Sequence, residues 1–484
     1  SIDDATGAVD ARWATASDDV RLAAIEALTR RAVACVLRLD GPGVGAHAEL
    51  ARAWTRPGDD RLTHLRVEYA QSWCALVDGR PVADDRLANL EREARGLGCA
   101  ELVVDGASLR ALSLAQVGAF VEALECARRA SRMGRTERLP QSEYLAGIVL
   151  ARLRRLTGRP HLATRILSAL RGFAPRLWHD WIDWEITMAS GVTPPAATGP
   201  GVGLGRVLHR AGDGDRGQFV AAVAELRTRV AEVAPLACDL QRTQLALDPE
   251  SDPAAADPAI ARWCSGESAF TPAPYGLAGL NGPRIEEGAA VGGAVVIAWP
   301  GRPGRRVLRA VQGLAFALTA DRWLADQSVG RTEGLVSALA LLRHGGTDDE
   351  ALFRSVYGFA YSPSLHRGTF DVALHRARGR VEPFGHIVRK TGQVCLEVVR
   401  SFVVPDPRST PGPDSRVLGH LARAGQLSAR ELAQTLGIPL RTVQGALRGL
   451  VEGGACHQHR VGRRVVYAIE DTTFQAPTFA GKPS

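Results

Sequence analysis

Residues 414–471 read DSRVLGHLARAGQLSARELAQTLGIPLRTVQGALRGLVEGGACHQHRVGRRVVYAIED. The first segment carries an apolar face through Val417, Leu418 and Leu421. Ser428 and Glu431 then stand at the S-x-x-E spacing of a capping box, where each side chain meets the other residue's free amide and so marks a helix start. Gly437-Ile438-Pro439 breaks that helix and turns the chain. The next helix places Val443, Leu447, Leu450 and Val451 at i, i+4, i+7 and i+8, one face of a 3.6-residue period. Its opposite face carries Arg441, Gln444 and Arg448. Two β-rich runs close the stretch around Gly462, with Arg460, Arg463 and Arg464 at their tip. The pattern predicts helix, turn, helix and a basic hairpin.

A chain of 484 residues is long for a single core, so two to four domains are expected. Its composition, 45% apolar and 23% charged, is that of a globular protein, not a disordered or fibrous one. The net charge of +7 permits an anionic partner without demanding one. Eight cysteines (Cys35, Cys74, Cys99, Cys126, Cys238, Cys264, Cys395 and Cys456) contain no C-x-x-C pair. That spacing argues against a zinc knuckle or a disulfide framework and suits a reducing compartment. No apolar run reaches the ~18 residues of a membrane span, and the N-terminus lacks a basic-then-apolar order. The expected location is the cytoplasm.

From about Asp18 to Gly191 apolar residues recur at helical spacing. Gly79, Gly118 and Gly158 lie 39 and 40 residues apart, each at an expected helix–helix turn, and Ala123 and Ala163 follow the last two by five residues. Glycine at a tight turn and alanine at a close helix contact predict stacked helical hairpins over residues 1–191. The region resembles tetratricopeptide-type repeats as a class. Residues 192–258 are expected to be a linker, VTPPAATGPGVGLG at 192–205, followed by capping helices and a break at ESDPAAADP. Residues 259–331 look like a small mixed segment, with AVVIAWPG and VLRAVQGLAFAL as short strands.

A second patterned stretch spans 332–404. A helix, GLVSALALLRHGG, precedes DDEALFRSVYGFAYSP and then a helix with Phe370, Leu374, Ala377 and Val381 on one face. Its other face has Thr369, Ala373, Arg376 and Arg380, and Gly379 weakens its end by roughly 1 kcal/mol relative to alanine. A hairpin follows around Thr391-Gly392, flanked by Arg389 and Lys390. Asp348, Asp349, Glu350, Asp371 and Glu382 dilute the positive charge of this piece. VVPDPRSTPGPDS at 403–415 reads as a proline-stiffened linker to the C-terminal stretch, which a tail at 472–484 follows.

The C-terminal stretch resembles ArsR- and MarR-like winged helices. The shared residues are Ser428, Glu431, Leu432, Ala433, Leu436, Gly437 and Ile438, then Thr442, Val443, Leu447, Leu450 and Gly454. The middle stretch looks like an OmpR-type winged helix through Val356-Tyr357-Gly358, Tyr361 and Ala377-Arg378-Gly379-Arg380-Val381, with alanine where that family has leucine. The resemblances imply a mainly α chain: a helical-hairpin array followed by two small α+β winged-helix domains. They also imply double-stranded DNA as partner. Arg441, Thr442, Gln444 and Arg448 would face base edges and flanking phosphates, while Arg460, Arg463 and Arg464 would reach the minor groove or backbone. In the middle domain Arg367, Arg376, Arg380, Arg389 and Lys390 would touch DNA. The chemistry suits the task, since arginine forks to guanine and glutamine pairs with adenine.

The densest aromatic cluster is Trp178-His179-Asp180-Trp181-Ile182-Asp183-Trp184. A tryptophan-rich closing helix of the array explains it, because His179 and Asp183 lack a third metal ligand. Trp178, Trp181 and Trp184 are also the candidates for a ligand or peptide pocket, since repeat arrays present concave surfaces. His457 and His459 alternate on a strand and read as phosphate-side or surface groups. GPGVGLG has no strand before it and no G-K-[ST], and neither H-E-x-x-H nor G-x-S-x-G occurs. No catalytic residue, cofactor or metal is expected. The function expected is a bacterial-type transcriptional regulator, sequence-specific for duplex DNA, with a homodimer and a protein or small-molecule effector on the array as the further partners left open. The alternative is a chromosome-associated or phage-defence scaffold that uses the same parts for protein contacts.

Overall fold

The computed structural model describes residues 17–252, 258–266, 294–308, 330–342, 346–409, 412–462 and 464–469. Among them nineteen α-helices are followed or interrupted by small antiparallel sheets, the mainly α class expected. The helices of the array are α1 (Asp18–Leu37), α2 (Gly41–Trp54), α3 (Arg61–Val77), α4 (Asp84–Gly96), α5 (Ala100–Gln116) and α6 (Phe120–Thr136). They continue as α7 (Pro140–Leu156), α8 (Pro160–Phe173), α9 (His179–Ser190), α10 (Pro200–Asp213), α11 (Arg216–Val230), α12 (Ala234–Leu247) and α13 (Pro258–Cys264).

One turn design recurs along the array. Gly98, Gly118, Arg138 and Gly158, spaced 20 residues apart, all have left-handed backbone, with φ of 70°, 84°, 55° and 77°. The next residue's amide reaches back five residues each time: Cys99 to Ala94 (2.9 Å), Ala119 to Leu114 (3.0 Å), Leu139 to Gly134 (2.9 Å) and Arg159 to Arg154 (2.8 Å). That bond satisfies a carbonyl left open at the helix end and reverses the chain in a few residues. Leu39 and Gly79 close α1 and α3 in the same way. The three glycines seen in the sequence therefore mark every second turn. Leu39 and Arg138 escape notice because a residue with a Cβ seldom takes positive φ. Ala123 and Ala163 are fully buried, as expected of close helix contacts.

The array does not stop at Gly191. A continuous apolar core runs from Val36 through Trp73, Leu109, Ile148, Trp184, Phe219 and Leu240 to Trp263. GPGVGLG, expected as linker, instead supplies the first turns of α10. A Cβ on Gly201 would sit 3.0 Å from the Asp183 backbone, and one on Gly203 would sit 2.7 Å from Leu226. These glycines let α10 lie against α9 and α11, a packing demand that looks like a flexible tether in one dimension.

Charge is also buried here. Arg152, Arg155, Glu185 and Asp239, from α7, α9 and α12, are enclosed together. Arg155 bonds Glu185 at 2.8 Å and Asp239 at 2.9 Å, and Arg152 bonds the same acids at 2.5 and 2.8 Å. Burial opposes ionisation of Asp239, but Arg152, Arg155 and Arg242 outweigh it and hold the carboxyl below its ordinary range.

Asp105 of α5 is the opposite case. Its Oδ1 is buried without a hydrogen-bond partner among the described residues, and burial pushes the carboxyl up to about 7 against the opposing Ser142 hydroxyl. An unfolded aspartate titrates near ~3.9, so the fold favours the neutral acid, and stability falls as pH rises from about 4 to about 7. Asp105→Asn is expected to raise the melting temperature at pH 8 and leave it unchanged at pH 4. Equal gains at both pH values would show that the native carboxyl is not held neutral.

A middle unit follows. Strands β1 (Ala294–Trp299) and β2 (Arg302–Leu308) form an antiparallel hairpin. Helices α14 (Arg331–Leu341), α15 (Asp349–Tyr357) and α16 (Pro363–Val381) lead to a second hairpin, β3 (Gly385–Lys390) with β4 (Gln393–Val398). Thr347, between α14 and α15, pairs with Val394 of β4. Residues Phe402–Asp406, expected largely as linker, form β5 and pair with β1, giving the order β2-β1-β5. Pro405 is tolerated because β5 is an edge strand whose missing amide breaks no second ladder. Buried Asp406 ties the strand down through Arg306 (2.8 Å) and Arg408 (2.7 Å). Only residues 410–412 then separate Ser409 from the next helix. The strand expected to continue past Leu308, and the 472–484 tail, lie outside the described residues.

The C-terminal unit comprises α17 (Pro413–Ala424), β6 (Gln426–Leu427), α18 (Ala429–Leu436), α19 (Leu440–Glu452), β7 (His457–Val461) and β8 (Arg464–Ala468), with sheet order β6-β8-β7. The capping box forms as expected, with the Ser428 amide donating to Glu431 at 2.8 Å and the Glu431 amide donating to Ser428 Oγ at 3.3 Å. Both units run helix, one pairing segment, helix, helix and hairpin. Among the described residues no helix is long and apolar enough to cross a membrane.

Candidate nucleic-acid interface

Helix α19 buries Val443, Ala446, Leu447 and Leu450 against α17 and α18, and this fixes its rotation. Arg441, Thr442, Gln444 and Arg448 are therefore exposed together on the far side. The β7–β8 hairpin follows α19 in the chain and packs through β8 on α17 and α18, with Arg460 and Arg464 exposed. Arg463 lies outside the described residues. Arg441, Arg448 and Arg460 have no acidic partner among the described residues, whereas Arg464 lies 3.8 Å from Glu431. Both of those side chains are largely exposed, so the pair is weak.

What holds this unit is its first helix. Leu162 of α8 packs into the core made by Val417, Leu418 and Leu421, and Arg165 donates to the Ala422 carbonyl at 3.3 Å. The array thus grips the unit through α17 and leaves α19 and the hairpin uncovered by described residues. His457 and His459 stack loosely at 5.5 Å, and His459 meets Gln426 at 3.2 Å. Among the described residues no group of three or more metal-ligating side chains gathers.

In the middle unit the expected cations divide into two sets. On one flank Arg389 pairs with Asp349 (2.9 Å) and Asp371 (3.7 Å), Arg367 lies 3.8 Å from Asp371, and Lys390 pairs with Glu397. The β3–β4 hairpin is therefore close to neutral. Arg378, not singled out in the sequence, donates to the Ile387 carbonyl at 3.2 Å and fixes helix against hairpin. Arg376 and Arg380 sit on the other flank of α16. With Arg331 from the start of α14 and Tyr357 from the end of α15 they line an open cleft of about 880 Å³. Arg331 was missed because it is some 45 residues from Arg376 and no local pattern links them. Ala373, expected on the polar face, is buried, since the apolar stripe of α16 is wider than four residues.

The tryptophan cluster is interior. Trp178, Trp181 and Trp184 are 3%, 5% and 0% exposed, which leaves no ring surface for an external ligand. Trp181 meets Trp73 edge-on at 6.3 Å, Trp178 meets Tyr144 at 6.0 Å, and Trp184 donates to Asp239 at 3.3 Å. His179 lies 3.1 Å from the Ala174 carbonyl, and Asp183 is taken by Arg171. Helix packing uses the whole cluster.

Comparison with protein-family models, with curated proteins and with solved structures finds no match to this chain.

Proposed function

We propose that the chain is a DNA-binding regulator whose C-terminal unit reads duplex DNA as a winged helix, with α19 in the major groove and the β7–β8 hairpin on the flanking backbone. The observation that carries this reading is the set of exposed guanidiniums Arg441, Arg448 and Arg460, without an acidic partner among the described residues, together with exposed Gln444 and Thr442, on a unit held from behind through α17. Arginine forks to guanine O6 and N7, glutamine to adenine, and the hairpin cations to phosphate. The packing of α8 on α17 offers a route for control. An effector that shifts α8 moves α17, and with it the angle at which α19 meets the groove.

Selection of bound sequences from random duplexes, followed by a salt titration, tests the reading. The expected result is an enriched motif and an affinity whose log–log salt slope is about −0.9 per phosphate neutralised. Recovery of unenriched DNA, or no binding, removes it and favours a protein-contact role for the same unit.

A further inference from the structure

The cleft in the middle unit gathers donors that no described residue satisfies. Arg331, Arg376 and Arg380 line it and have no acidic partner among the described residues. The one acid there, Glu333, is buried and committed to the Gly330 amide at 2.9 Å. Gly330 is the residue that caps α14, and it has no side-chain oxygen for the amides of Thr332 and Glu333. Gly330 to Glu333 line the cleft, so the positive end of the helix borders it. Tyr357 Oη is buried without a hydrogen-bond partner among the described residues, and its ring lies 4.6 Å beneath the Arg331 guanidinium.

Two glycines on the same flank of α16 are unexplained by packing. A Cβ on Gly368 or Gly379 would meet nothing within 4 Å. Glycine within a helix is unfavourable, and no packing neighbour requires it at these two positions.

We propose that this cleft binds a phosphate-bearing small molecule, its di- or triphosphate chain held by Arg376, Arg380, Arg331 and the first amides of α14. Guanidiniums one helical turn apart, next to a helix N-terminus, suit several adjacent phosphate groups better than a lone carboxylate. The volume suits a small ligand. A duplex lying on this unit would span α16 and the β3–β4 hairpin, but that hairpin's cations are already paired and the cleft opens on the opposite flank. The inference does not depend on DNA binding by the C-terminal unit, so failure of the DNA selection leaves it standing.

Calorimetric titration of the full chain with inorganic pyrophosphate and tripolyphosphate tests it. One saturable site per chain is expected, weakened at least about tenfold in Arg376→Gln/Arg380→Gln and unchanged in Arg441→Gln/Arg448→Gln. Gly379→Met, which favours helix and fills the cleft, should weaken binding while the melting temperature holds or rises. Absence of saturable heat, or equal loss in both arginine pairs, overturns the proposal. So does displacement of tripolyphosphate by a short duplex in the Arg441→Gln/Arg448→Gln background, because it assigns the cleft to the DNA backbone.

Discussion

Arg155→Ala is expected to destabilise the array by about 3–5 kcal/mol, the largest effect of any single substitution proposed for this chain. Arg155 is fully buried and bonds Glu185 and Asp239, which are also fully buried. Removing one guanidinium leaves Arg152 as the one guanidinium bonded to both enclosed carboxylates, with Arg242 adding only a charge near Asp239. The cost is thus mainly that of stranded negative charge, not of one lost bond. Urea denaturation followed by circular dichroism should show the array's midpoint falling sharply. The control is Arg30→Ala, whose exposed pair with Glu26 at 2.8 Å should contribute less than about 1 kcal/mol. A combined Arg155→Met/Glu185→Leu change should cost less than the two single alanine changes together, because it removes a charge of each sign. If Arg155→Ala behaves like Arg30→Ala, the enclosed network does not exist in solution.

The second large effect belongs to the proposed interface. Arg441→Ala/Arg448→Ala should lower affinity for the selected duplex by about 2–6 kcal/mol, roughly 30-fold to 10⁴-fold, if both side chains read bases. Stability should scarcely change, because both side chains are exposed and unpaired. Fluorescence anisotropy with the enriched duplex and a scrambled one separates two roles. A base reader loses discrimination between them, whereas a phosphate contact weakens both alike and lowers the salt slope by about one. The matching change in the middle unit, Arg389→Ala/Lys390→Ala, should have little effect, since Asp349, Asp371 and Glu397 already neutralise those cations. Similar losses from both pairs would reject the division of labour between the two units.

Much of this was legible because it is local. The capping box at Ser428 and Glu431, the turn at Gly437 and the buried stripe of α19 each depend on residues within a few positions of one another. The same holds for the face of α16 bearing Phe370, Leu374, Ala377 and Val381. Local legibility also misled. Proline and glycine in 199–205 and 403–409 read as tethers, yet they build α10 and β5. Their composition reports what the isolated backbone permits, and close packing on α9 or pairing with β1 can require those same residues. The tryptophans misled in another way, because an aromatic cluster looks alike whether it lines a pocket or fills a core.

By itself the amino-acid sequence determined the helical periods, the glycine-marked turns, the helix caps and the exposed arginines of α19. The periods, caps and arginine face follow from spacings of two to eight residues, where backbone geometry alone sets which side chains share a face, and the turns from a glycine repeat of 39 and 40 residues. Tertiary structure alone decided three further things. It enclosed Arg152, Arg155, Glu185 and Asp239 together, it docked α17 on α8, and it brought Arg331 beside Arg376 and Arg380 while pairing Arg389 and Lys390 with acids. Apart from the Lys390–Glu397 pair across its own hairpin, these arrangements join residues tens to hundreds of positions apart, and which charge ends up buried, paired or free depends on how the elements pack.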